Sequence, residues 1–211
     1  AIDGVTVALR LSSDAACGTC NGTGGKPGTK PRICTTCEGA GYIVAGIFAA
    51  GDVTDRDQFV YMAAYGAKLA AKNALNGDSL RYDNTVMPAV VFTDPQVASV
   101  GVTEAQARAA GHAVRTSVLS LDNVPRALAA RDTRGLIKLV ADGATRKLLG
   151  AHILSPEGAD SIQTAALAIR CGLSIDDLAE MIFPYLTTVE GLKLAAQTFD
   201  RDVKKLSCCA G

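Results

Sequence analysis

Leu136-Ile-Lys-Leu-Val140 and Leu148-Leu-Gly-Ala-His-Ile153, joined by Ala141-Asp-Gly-Ala-Thr-Arg-Lys147, read as the two strands of one hairpin. Branched apolar residues suit a pleated, half-buried surface, and the polar joint with its glycine supplies the turn. Other strands gather around this hairpin. Val114 to Leu121 has strand composition, as does Val97 to Val100; Ala89-Val-Val-Phe-Thr93 is a buried type of strand turned by Asp94-Pro95. Ile47-Phe-Ala-Ala-Gly51-Asp52 reads as a short apolar strand ending in Gly-Asp. Helices alternate with these runs. Phe59 to about Ala74 is alanine-rich and is stopped by Asn76-Gly77. Thr103 caps a short helix through Ala110, Glu157 to Arg170 is helical up to Gly172, and Ser174 caps another with Asp176 and Asp177 in its first turn. A last helix spans about Thr188 to Gln197. The pattern predicts an α+β fold, a mostly antiparallel sheet with helices packed on it.

Composition narrows the function. The 211 residues carry 21 basic and 21 acidic side chains and no net charge, which argues against a strongly electrostatic nucleic-acid or membrane-surface partner. Hydrophobic residues make up 48% of the chain, enough for a core, and no run approaches the ~18 apolar residues of a spanning helix. The opening Ala1-Ile2-Asp3-Gly4 lacks the basic lead and apolar run of a signal peptide. Seven cysteines fall as two C-x-x-C pairs, a terminal pair and a single Cys171, a layout that points to metal or redox chemistry in a reducing compartment, the cytoplasm. Cys171, in a helical stretch, is expected to be a small buried hydrophobe.

Residues 1–45 have a different grammar. Val5 to Leu11 alternates like a strand; Ser12 to Gly41 is a loop-rich tract dense in Gly, Thr, Pro and Cys. It contains one pattern twice, Cys17-Gly-Thr-Cys20-Asn-Gly22-Thr-Gly24 and Cys34-Thr-Thr-Cys37-Glu-Gly39-Ala-Gly41, in which glycines allow a tight knuckle and two sulfurs point at one ion. Thirteen residues separate Cys20 from Cys34, a little under the usual spacing of a four-cysteine zinc site. With the Gly25-Lys-Pro-Gly-Thr-Lys-Pro31 run, this tract resembles the cysteine-rich region of DnaJ-type co-chaperones. The resemblance implies a Zn²⁺ held by Cys17, Cys20, Cys34 and Cys37. It departs from that family in having two repeats where the family has four, and it shows neither the J domain nor the substrate-binding strands.

The chain closes on Cys208-Cys209-Ala210-Gly211. Adjacent cysteines do not readily form a disulfide with each other, since an unstrained bridge wants Cα atoms about 5.5 Å apart and neighbours sit about 3.8 Å apart. Two thiolates in reach of each other suit a soft, two-coordinate metal ion instead.

From about Ile47 onward, the chain resembles the mercuric-reductase branch of the pyridine-nucleotide disulfide oxidoreductases. The segments that carry the resemblance are Ala49-Ala-Gly-Asp52 with Gln58-Phe-Val-Tyr61, Pro88-Ala-Val-Val-Phe-Thr-Asp-Pro95, Leu121-Asp-Asn-Val-Pro-Arg126, Phe183-Pro-Tyr-Leu-Thr187, Val189-Glu-Gly-Leu-Lys-Leu-Ala-Ala-Gln197 and the cysteine tail. It implies a remnant of an FAD-binding region at 46–85 and a dimerisation domain at 86–211. Gly51 and Asp52 would face a ribityl hydroxyl of FAD, and the backbone at Gln58, Phe59 and Val60 its ring. Tyr185 would stand beside the path of mercury, with Cys208 and Cys209 capturing Hg(II) from small thiols for delivery to a homodimer partner. NADPH would be the electron source and Hg(0) the product. The family's acid–base His-Pro pair reads Phe183-Pro184 here, and the only histidines, His112 and His152, sit in ordinary structural contexts. No G-x-G-x-x-G follows a strand, so the chain by itself is not expected to carry out the redox step. The competing expectation is a zinc-binding, co-chaperone-like interaction module on a dimerisation platform.

Overall fold

The computed structural model describes the backbone of residues 13–16 and 42–45 and the whole of residues 48–77 and 79–203. The chain divides into two compact units, Ala1–Tyr82 and Asp83–Gly211.

In the first unit, β1 (Ser13–Ala16) pairs antiparallel with β2 (Tyr42–Ala45), with Ala16 opposite Tyr42. Ser13–Ala16 corrects the expectation of loop there, and Tyr42–Ala45 lies just past the tract read as loop-rich. The expected strand at Val5 to Leu11 lies outside the described residues. A second correction concerns Phe48–Ala50, which is not a strand: no other segment among the described residues pairs with it, and an unpaired apolar run has no ladder to hold it extended. It leads into a single 3-10 turn, Asp52–Thr54, and then α1 (Val60–Asn76). The end of α1 is set by Gly77 at φ +80°. From within the last turn of α1, buried Asn73 holds the chain that follows, accepting from the Leu80 N–H and donating to the Leu80 carbonyl, both at 3.0 Å.

The second unit is the α+β domain expected from the sequence. Five antiparallel strands lie in the order β3-β4-β7-β6-β5: β3 (Ala89–Val91), β4 (Gln96–Gly101), β5 (Val114–Ser120), β6 (Leu136–Asp142) and β7 (Leu148–Ser155). The β6–β7 hairpin is central and aligns Ile137 with Ile153 and Leu139 with Ala151. These four are fully buried, and Lys138 and His152 between them are not, as strand alternation requires. Slipping the register by one residue would turn both charged or polar side chains into the core.

Helices α4 (Gly158–Arg170) and α6 (Glu190–Gln197) cover the inner face, α4 on β4 and β7, α6 on β5 and β6. α4 buries Ser161, Ile162, Ala165, Ala166 and Ala168, a stripe at helical spacing, and α5 (Ile175–Glu180) packs against α6. Each large aliphatic side chain removed from water here contributes roughly 1.5–3 kcal/mol. The short helix α2 (Glu104–Ala109) starts with a capping box between Thr103 and Gln106, and α5 with one between Ser174 and Asp177. Glu104 accepts from Lys138 at 2.8 Å and so ties α2 to the middle of β6. An element absent from the sequence reading is α3 (Pro125–Ala130), with proline at its start. Cys171 is also corrected: it is exposed, because α4 ends at Arg170 and Gly172, at φ +66°, turns the chain away. Among the described residues no helix is long and apolar enough to cross a membrane.

Candidate functional site

The residues singled out in the sequence fall in both units, and each unit is described by itself. In the first, the backbone comes close to α1. Gly51 has φ +80°, and a Cβ there would stand 3.3 Å from the Cβ of Ala63; one at Gly66 would stand 3.4 Å from the Cβ of Ala50. Small residues at 50, 51, 63 and 66 thus let the Phe48–Gly51 segment lie on the helix. The Thr54 N–H and hydroxyl both donate to the Gly51 carbonyl, at 3.0 and 2.8 Å, fixing the 3-10 turn that carries exposed Asp52. Phe59 caps α1 without a side-chain hydrogen bond, and the first turn holds no acidic residue. Gln58 and Val60 are exposed, and the Phe59 ring stacks on Tyr61 at 5.3 Å between centroids. An uncapped helix start offers backbone N–H groups and a partial positive charge to an electron-rich ligand edge. An exposed carboxylate a few residues earlier accepts hydroxyls. The residues present therefore fit the hydroxylated chain and ring edge of a flavin.

In the second unit the segment Phe183–Thr187 connects α5 to α6. Phe183 packs against the core, whereas Tyr185 is 62% exposed and neighbouring Ile182 is 93% exposed. Leu186 has φ +61°, a left-handed conformation rare for a branched residue. The Thr187 hydroxyl donates to the Pro184 carbonyl at 2.8 Å, and the Thr188 hydroxyl to Glu157 at 3.1 Å. Tyr185 is thus presented outward on a turn pinned at both ends.

Cys208 and Cys209 lie outside the described residues, as do Cys17, Cys20, Cys34 and Cys37. Among the described residues no group of three or more His, Cys, Asp or Glu could hold a metal ion. The two histidines are otherwise engaged: His112 Nδ1 is 2.8 Å from Asp142 Oδ2, and His152 Nε2 is 3.3 Å from the Val102 carbonyl, with burial pushing the His152 imidazole toward its neutral form.

Two features of the second unit were not visible in the sequence. The chain entering the tail is gripped at Asp200, which takes Arg115 at 2.9 Å on one oxygen and Arg146 on the other; Arg146 also forks onto Asp176 at 2.5 and 2.6 Å. Glu190 is 2% exposed at the start of α6. A glutamate in a first helical turn reads as a surface, dipole-complementing residue, so no local signal announced its burial.

The second unit thus combines a five-stranded antiparallel sheet, α4 and α6 packed on it, and an outward-turned loop before α6. The family described as the pyridine nucleotide-disulphide oxidoreductase dimerisation domain matches residues 87–196, and the chain belongs to it. Curated relatives are mercuric reductases. That of Acidithiobacillus ferrooxidans is 58% identical over 165 residues, covering 78% of this chain and 30% of the relative. That of Lysinibacillus sphaericus is 56% identical with the same coverage. The chain thus spans about a third of the length of the relatives it matches. Among solved structures, the Cu(II) complex of the HOCl-induced flavoprotein disulfide reductase RclA from Escherichia coli superposes with a TM-score of 0.68 at 29% identity, over 74% of this chain and 36% of that one. LpdA from Mycobacterium tuberculosis gives 0.66 at 27% identity, over 74% and 34%.

Proposed function

We propose that this chain is the interface-forming portion of a mercuric reductase and that it captures Hg(II) for the reductase dimer. The observation that carries the reading is the 58% identity to a mercuric reductase over 165 residues. The paired cysteines at the terminus supply the matching chemistry. Hg(II) is soft and takes two thiolates in line. The Cys208 and Cys209 thiolates would displace two small thiols from the incoming ion by exchange, with no change in oxidation state. Tyr185 would line the ion's path. A two-fold dimer makes the transfer reciprocal, each tail serving the partner's site. Asp52 would accept a ribityl hydroxyl of FAD, Gly51 would leave room for it, and the Gln58–Val60 backbone would meet the ring. Bound FAD supplies two-electron transfer from NADPH to Hg(II). The reading places the protein in the thiol-rich cytoplasm.

A second reading concerns residues 17–41 alone. The pairing of Ala16 with Tyr42 joins the two ends that flank this tract, which favours a single Zn²⁺ shared by Cys17, Cys20, Cys34 and Cys37. That ion would stabilise the first unit and need not take part in mercury chemistry.

The test is competition for Hg(II) between the purified chain and glutathione. The parent should retain about one tightly held ion per chain, and the Cys208→Ser/Cys209→Ser variant should lose it. Equal retention by both would refute the reading.

A further inference from the structure

Three elements converge on the corner where the chain leaves α6. Arg115, on edge strand β5, donates to the Phe199 carbonyl at 2.6 Å and to Asp200 Oδ1 at 2.9 Å. Its guanidinium also lies over the Phe199 ring, 5.6 Å from the centroid. Arg146, in the β6–β7 turn, takes the other oxygen of Asp200 and forks onto Asp176 of α5. Arg146 is itself braced: it has φ +58°, and its N–H donates to the Asp142 carbonyl at 2.8 Å. Isolated exposed ion pairs hold little, but a network with a bidentate arginine fork is the exception. Here one carboxylate has both oxygens engaged, each by a different arginine.

This corner stands between the core and the cysteine pair. Phe199 is buried, and Val203 packs against the core. Asp200, between these two apolar contacts, is the residue that β5 and the hairpin turn grip. Five residues lead from Val203 to Cys208, so covalent geometry keeps the first thiol within about 18 Å of Val203. With Asp200 released and Val203 lifted from the core, the tether would start after Phe199. It would then hold nine residues and reach about 32 Å.

We propose that Arg115 and Arg146 are positioning residues for the cysteine tail: by gripping Asp200 they keep Val203 on the core and shorten the tether on which Cys208 and Cys209 search for their target. Shortening a tether from nine residues to five raises the effective concentration of the pair near the domain roughly two- to threefold. The value of this for Hg(II) delivery rests on the capture reading given above; the grip on the corner does not.

The test uses the full chain and two variants, Arg115→Gln/Arg146→Gln and Asp200→Ala; the second decides the matter if the first fails to fold. Backbone ¹⁵N relaxation is recorded at Arg201, Asp202 and Val203. Order parameters there should be near 0.85 in the parent and below about 0.6 in both variants. Rigid spin labels are then placed, by chemistry that spares cysteine, at Ser207 and at Leu128, which is exposed on α3. Pulsed EPR gives the distribution of distances between them. Its width should grow about 1.4-fold in the variants, as the tether from the anchor to Ser207 doubles from four residues to eight. Disorder at 201–203 in the parent overturns the proposal, as does order or width that the variants leave unchanged. Hg(II) at one equivalent in glutathione is tested separately on the parent: an ion that the tail fails to hold refutes the capture reading, while relaxation and distance width still decide the role of the arginines.

Discussion

His112 Nδ1 lies 2.8 Å from Asp142 Oδ2 and joins the loop after α2 to the turn of the central hairpin. The other oxygen of Asp142 accepts the Ala144 and Thr145 N–H groups, at 3.0 and 2.7 Å, and the Thr145 hydroxyl at 2.9 Å. One carboxylate therefore organises the turn and the contact across it. The Thr145 N–H first, then His112 and the Thr145 hydroxyl, hold its carboxyl well below the usual carboxylate range. A carboxyl depressed in the folded state stabilises fully above its unfolded pKa of about 3.9, and that contribution disappears as pH falls through the lower folded value. The thermal midpoint of the parent should therefore drop as pH falls below about 4. Asp142→Asn should start lower at neutral pH and show a shallower acid slope. Parallel curves for the two proteins would contradict this.

A Cβ at Gly150 would overlap the Val102 carbonyl oxygen and come within 3.1 Å of the Val102 nitrogen. These are backbone atoms that no rotamer change can move. Gly150→Ala should cost about 3 kcal/mol, at the upper end of overpacking penalties, read as a lower urea midpoint with unchanged slope. Gly111 is the comparison: a Cβ there meets nothing within 4 Å, though φ is +87°. Gly111→Ala should cost only the left-handed penalty of about 1–2 kcal/mol.

Asp200 bridges Arg115 and Arg146, and Arg146 bridges Asp200 and Asp176. All four side chains keep contact with water, so salt should screen the network. In a double-mutant cycle of Arg146→Ala and Asp200→Ala, the coupling free energy from urea unfolding should be favourable at low salt and fall toward zero near 1 M. Coupling independent of salt would show that packing, not charge, joins the two.

Zinc provides a separate check on the first unit. Elemental analysis of reduced, zinc-supplemented protein should give about one equivalent, lost in Cys17→Ser/Cys34→Ser. Less than about half an equivalent in the parent would remove the zinc reading.

The second unit was legible where local chemistry and packing agree. The β6–β7 strands and the caps at Thr103 and Ser174 announce themselves, because alternation and capping act over a few residues. The first unit was less so. Ser13–Ala16 and Tyr42–Ala45 are strands because each finds the other across the cysteine-rich tract, and no window of either contains that information. Phe48–Ala50 shows the reverse, an apolar run with strand composition and no pairing partner among the described residues. Proline-led α3 has only six residues, too few for helical periodicity to show. In the site, Gly51 and Tyr185 were singled out through the resemblance to the reductases rather than from their local sequence alone. Glu190 could not, since its burial at the start of α6 depends on packing from segments far away in sequence.

The most direct test of the whole account maps mercury onto cysteines. Native mass spectrometry with fragmentation is applied to the reduced chain, to a form beginning at residue 47, and to that shortened form carrying Cys208→Ser/Cys209→Ser, each given one equivalent of Hg(II) in glutathione. The account predicts that the ion stays on the fragment holding Cys208 and Cys209 in the first two proteins, and that the shortened form retains none once both tail cysteines are serine. Mercury held instead by Cys17, Cys20, Cys34 or Cys37, with the tail left bare, would contradict it.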